Sequence, residues 1–166
     1  MEIEPLPLSW ANVRRQASRH GFAVTSFRFL AAWARENSIS VMPLDLGCCA
    51  PSWTGEAVFS TLQAGIDETS DPRHADVLMV SGALSSKAVP VLRRIYDQMP
   101  EPKSVVAVGS CALGGGLFGR SYAVVPSVAD ILPVDVFIPG CPPSFASFRD
   151  GIERLRRRLA EKTMEG

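Results

Sequence analysis

Four cysteines occur in this chain of 166 residues, and two of them, Cys48 and Cys49, are neighbours in "DLGCCAPSW". A disulfide between adjacent residues is strained, and zinc sites usually separate paired cysteines by two to four residues. The other two thiols, Cys111 and Cys141, share the setting of the first pair. Each follows an apolar run and a glycine: "VMPLDLG" before Cys48, "VVAVGS" before Cys111 and "VFIPG" before Cys141, with Gly47, Gly109 and Gly140 at the turns. Glycine lets a backbone turn tightly and approach a bulky ligand. Four thiols brought together suit the Cys₄ ligation of a [4Fe–4S] cluster. Adjacent thiols can reach two different irons of one cubane, a pairing that a single tetrahedral zinc tolerates less well. A third reading stays open, because free cysteine also packs as a small buried hydrophobe. That reading leaves unexplained why every thiol sits at the end of an apolar run.

The elements that would place these thiols follow from periodicity. "ISVMPLDLG", "DVLMVSG", "KSVVAVGSC" and "VDVFIPGC" read as short strands, the second buried over Val77 to Val80. "SSKAVPVLRRIYDQMPEP" reads as a helix whose Ala88, Val91, Leu92, Ile95, Tyr96 and Met99 form one apolar face. Pro90 fits its first turn. The tail "SFASFRDGIERLRRRLAEK" puts Phe145, Phe148, Ile152, Leu155 and Leu159 on one face, with Asp150–Arg154 and Glu153–Arg157 as ion pairs outside. Further helices are expected from Ser9 to Gly21, around Phe29, Leu30, Trp33 and Ala34, and over residues 52–65. Buried strands alternating with amphipathic helices predict an α/β sandwich around a parallel sheet. Its thiols would then lie outside the carboxyl ends of the strands, where such sheets bind ligands. The expected organisation is an N-terminal arm and short helix over residues 1–26, then one domain over residues 27–163.

Composition narrows the function. The chain is 46% hydrophobic and 20% charged, with 17 basic and 17 acidic residues. That is the balance of a globular protein, without the basic field that nucleic acid would demand. Near-zero charge also favours association. The most apolar N-terminal stretch, "FAVTSFRFLAAWA", is 13 residues long and contains Arg28, short of the roughly 20 apolar residues that span a bilayer. The acidic, proline-bearing "MEIEPLPLSW" is unlike a signal peptide. "GGGLFG" opens no nucleotide-binding βαβ unit.

Around the thiols, backbone N–H groups of the loops 109–116 and 140–144 are candidate hydrogen-bond donors to sulfur, and Ser110 reads as a turn residue, with donation of its hydroxyl to sulfur as the alternative. Asp45 reads as a structural hydrogen-bonding residue, with tuning of the potential as its alternative role. His20 and His74 stand alone, and His74 reads as a turn residue. Arg156, Arg157 and Arg158 read as a solvated face, or as a surface for an acidic partner or lipid headgroups. Trp33, Phe27 and Phe29 pack in the core or on a partner.

Six stretches, "WARENS", "GCCA", "ADVLMVSG", "VPVLRRIYDQMPEPK", "VGSCALGGGLF" and "PVDVFIPGCPP", together resemble the B subunit of respiratory complex I. That subunit is also called the 20 kDa or PSST subunit of NADH–quinone oxidoreductase. The likeness covers roughly residues 29–160. It implies a flavodoxin-like three-layer α/β fold, with Cys48, Cys49, Cys111 and Cys141 ligating the last [4Fe–4S] cluster before quinone. It also implies three kinds of partner: a larger catalytic subunit, a ferredoxin-like iron–sulfur subunit and membrane subunits. Catalysis would belong to that assembly, docked peripherally on the cytoplasmic face of the plasma membrane, or the matrix face in a mitochondrion. Small subunits of [NiFe] hydrogenases of the formate-hydrogenlyase type are similar too, but typically separate the first two ligands as C-x-x-C, and they give the alternative function. A metal-free binding module of the same fold is the alternative from another class. Ser52 stands where the family has an acidic residue, and Ser144 with Phe145 where it has Arg-Pro.

Overall fold

A computed structural model describes residues 33–35, 37–49 and 65–165. Five strands form one sheet: β1 (Ile39–Leu46), β2 (Ile66–Glu68), β3 (Val77–Gly82), β4 (Ser104–Val108) and β5 (Val136–Ile138). Their order is β2-β1-β3-β4-β5, and every pairing is parallel. β3 and β4 are buried along their whole length, as unbroken apolar runs require when both sheet faces are covered. β3 runs two residues past the expected Val80, to Gly82. Pro43 is tolerated in β1 because β2 pairs only with residues 39–41. The missing proline N–H therefore faces a side with no partner among the described residues.

Two apolar layers sandwich the sheet. On one face Val77, Met79, Val106, Val108, Val136 and Ile138 pack against Phe148, Ile152, Leu155 and Leu159 of the last helix, α3 (Phe145–Glu165). On the other, Leu78, Val80, Val105 and Ala107 meet Leu92 and Met99, from α1 (Val89–Gln98) and the residue after it. A short helix, α2 (Gly109–Gly114), follows β4 directly. The result is the three-layer α/β sandwich around a parallel sheet expected from the sequence.

The helices correct two assignments. Val91 is 55% exposed: at roughly 100° per residue it falls a full step outside the stripe centred on Leu92. Phe145 is also exposed, because it opens α3 before the helix settles on the sheet. Ser144 explains the break with the family pattern. Its hydroxyl accepts the Ser147 N–H at 3.2 Å and meets the Ser147 hydroxyl at 2.9 Å, the arrangement of a helix N-cap. On the outer face Arg154 pairs with Asp150 at 2.9 Å as expected, but Arg158 pairs with Glu161 at 3.4 Å in place of Arg157 with Glu153.

At its far end α3 is pinned to the sheet. Lys162 Nζ donates to Asp135 (2.8 and 2.9 Å) and to the Lys103 carbonyl (2.8 Å), and Asp135 accepts the Val105 N–H (2.9 Å). The arm, the helices expected over 9–21 and 52–65, and Phe27, Phe29, Leu30, His20 and Ser52 lie outside the described residues.

Candidate metal centre

Sheet register aligns the cysteines. Asp45 of β1 pairs with Ser81 of β3, Ser81 with Val108 of β4, and Val108 with Ile138 of β5. Cys48, Cys111 and Cys141 each stand three residues beyond that row, so all three follow the same end of the sheet, with Cys49 next to the first. Ser81 Oγ donates to Asp45 Oδ1 at 2.7 Å and fastens the end of β1, so Asp45 has the structural role expected of it.

Each thiol then acquires its own surroundings. The tight turn after β1 leaves Cys48 exposed and sends Cys49 inward to 2% exposure. Cys111 is 8% exposed and lies inside α2, beyond the end of the strand read over "KSVVAVGSC". Gly115, with φ of +74°, closes that single turn by donating its N–H to the Cys111 carbonyl at 2.9 Å. Cys141 is exposed in the bend after β5.

The thiols sense one another. Burial comes first in pushing the Cys49 thiol above its ordinary 9.0, and Cys48, Cys111 and Cys141 each push it further. Cys48 also shares a hydrogen bond with it. These effects favour the protonated Cys49 thiol, and a cationic centre beside it would favour the thiolate. Two of the sulfurs pack closely against glycine backbone: a Cβ on Gly109 would lie 2.5 Å from Cys49 Sγ, and one on Gly116 2.7 Å from Cys111 Sγ. Among the described residues, no three Cys, His, Asp or Glu side chains close around a single ion. A cubane makes a different demand, since each thiolate serves its own iron.

The expected donors to sulfur are largely engaged elsewhere. Ser110 gives both its N–H (2.8 Å) and its hydroxyl (3.0 Å) to the Gly140 carbonyl. The Gly115 N–H goes to Cys111 O, and Pro142 and Pro143 have none to give. These bonds tie the cysteine segments together. Sequence reasoning missed the part Ser81 plays, whose only signal was its place at the end of "VLMVSG".

Beside α2 the chain exposes a cluster of large side chains: Leu117 (89%), Phe118 and Tyr122 (100%). The segment carrying them is held by Phe118 N–H to Gly115 O, Ser121 N–H to Phe118 O and Ser86 N–H to Ala123 O, at 2.8–2.9 Å. His74, in a short 3-10 turn, bonds Asp71 at 3.1 Å at the opposite end of the sheet. Trp33 is exposed. Arg157 and Arg158 line a shallow groove with Phe137 and Glu161, away from the thiols.

Comparison with known proteins agrees with this geometry. Residues 46–155 match the family described as NADH ubiquinone oxidoreductase, 20 kDa subunit. Among solved structures the chain is similar to one in the membrane-bound sulfane sulfur reductase, an archaeal respiratory membrane complex. The two share 30% identity and superpose with a TM-score of 0.72, over 80% of this chain and 76% of that one. The matched segment holds all four thiols and the sheet edge that carries them, and the chain belongs to the NADH ubiquinone oxidoreductase 20 kDa subunit family.

Proposed function

We propose that this chain is the electron-relay subunit of a membrane-associated oxidoreductase. Cys48, Cys49, Cys111 and Cys141 would hold one [4Fe–4S] cluster, with quinone as acceptor in a complex I-like assembly. The observation that supports the reading is that three cysteine segments leave the same end of one parallel sheet, in a chain of this family. When bound, the cluster supplies one-electron redox chemistry.

The chain's own residues supply the setting. Cys49 and Cys111 are screened from water by the sheet and α2, while Cys48 and Cys141 face outward, towards a partner. Gly109 and Gly116 let the backbone pack directly against Cys49 Sγ and Cys111 Sγ. Leu117, Phe118 and Tyr122 stand on a hydrogen-bonded segment beside Cys111, a preorganised apolar surface for a larger catalytic subunit. A ferredoxin-like subunit and membrane subunits complete the assembly in this reading. No helix among the described residues is long and apolar enough to cross a membrane, which accords with a peripheral position.

One observation favours a second acceptor. The similar solved chain belongs to a sulfane sulfur reductase, so a sulfur–sulfur bond is the natural competitor to quinone. The test uses the complex purified with its own partners and assayed with each acceptor, intact and with Cys111→Ser or Cys141→Ser. Loss of the reduced-cluster EPR signal and of electron flow in both variants is expected. Variants that keep both would return the cysteines to structural roles.

A further inference from the structure

We infer that Ser110 is a positioning residue that holds Cys141 at ligating distance from Cys111, acting through the Gly140 carbonyl. This rests on the cluster reading above. The segment 139–143 contains Pro139, Pro142 and Pro143, so only Gly140 and Cys141 in it own a backbone N–H. Among the described residues its hydrogen bonds both end on one atom, the Gly140 oxygen, which accepts Ser110 N–H at 2.8 Å and Ser110 Oγ at 3.0 Å. Cys111 directly follows the donor and Cys141 directly follows the acceptor. Ser110 therefore links two cysteine-bearing segments that come from different strands and lie 30 positions apart in the chain.

The hydroxyl is the replaceable half of this tether. The amide bond survives any side chain, whereas the second bond requires a hydroxyl at position 110. Cys141 is exposed and, besides the packing of buried Pro143, these two hydrogen bonds hold its loop, so loosening them should show first as easier loss of the iron that Cys141 would bind. The Ser110 hydroxyl thus serves geometry, and the alternative that it donates to sulfur is replaced.

The test compares wild type, Ser110→Ala and Ser110→Thr, each purified without oxygen in the complex with its partners. Release of iron to a ferrous chelator, the EPR spectrum of the reduced cluster and hydrogen exchange of the 136–148 peptide are followed. Ser110→Ala should release iron about five-fold faster, the factor one neutral hydrogen bond typically contributes, with an altered EPR line shape and faster exchange in 136–148. Ser110→Thr, which keeps the hydroxyl, should restore all three. Iron release and spectrum unchanged in Ser110→Ala would overturn the inference, even if exchange quickened. Wild type without iron would instead overturn the cluster reading, while the exchange data would still report whether the tether exists.

Discussion

Gly109 joins two constraints at one residue: a φ of +84° and a cysteine sulfur where its side chain would be. Gly109→Ala should cost about 1–3 kcal/mol from backbone strain and lower the iron retained per chain. Denaturant unfolding and an iron assay on the same sample check it; full iron at unchanged stability would contradict the packing described. A second residue titrates away from the site. Burial, then Glu101, Asp135 and Asp97, push the Tyr96 phenol above its ordinary 10.0, with Lys103 Nζ lying 4.2 Å from the ring centre. The fold thus favours the protonated phenol. That contribution is complete below pH 10 and is lost as pH rises beyond it. Tyr96→Phe should flatten part of the alkaline fall in stability, and thermal unfolding across that range measures it. At this scale the four thiols and their glycines could be singled out from the sequence, because each follows an apolar run that ends in a turn. Ser81 and Ser110 were not, since each acts on a neighbour that only strand order brings near.

Among the elements, α3 combines an apolar face with a charged anchor. Leu155, fully buried, should cost about 2–5 kcal/mol when truncated to alanine. Lys162→Met removes bonds to Asp135, Ser104 and the Lys103 carbonyl. It should cost about 1.5–3 kcal/mol, the range for hydrogen bonds to charged groups, with the lower end expected for a partly exposed lysine. Unfolding midpoints of the two variants check the order, Leu155→Ala being the weaker chain. Strands and long helices were readable from unbroken apolar runs and from periodicity. The short helix holding Cys111 was not, because "GSCALGGG" is glycine-rich and forms its single turn only against β3 and β4. Val91 was misassigned for a related reason: the width of a buried stripe is set by what it packs on.

For the whole molecule, parallel pairing in the order β2-β1-β3-β4-β5 turns three sequence-distant cysteine segments into one edge. Leu117, Phe118 and Tyr122 stand exposed after α2, and in the proposed assembly the larger subunit covers them. Negative charge introduced there should matter more than elsewhere: Leu117→Glu with Tyr122→Glu should abolish co-purification of the larger subunit while the isolated chain unfolds at the wild-type midpoint. The most direct measurement is on the partner-bound protein purified without oxygen: iron, acid-labile sulfide and the EPR spectrum after reduction. The account predicts about four irons and four sulfides per chain with a reduced [4Fe–4S] signal. Zinc in their place, or no metal in an intact complex, would contradict it.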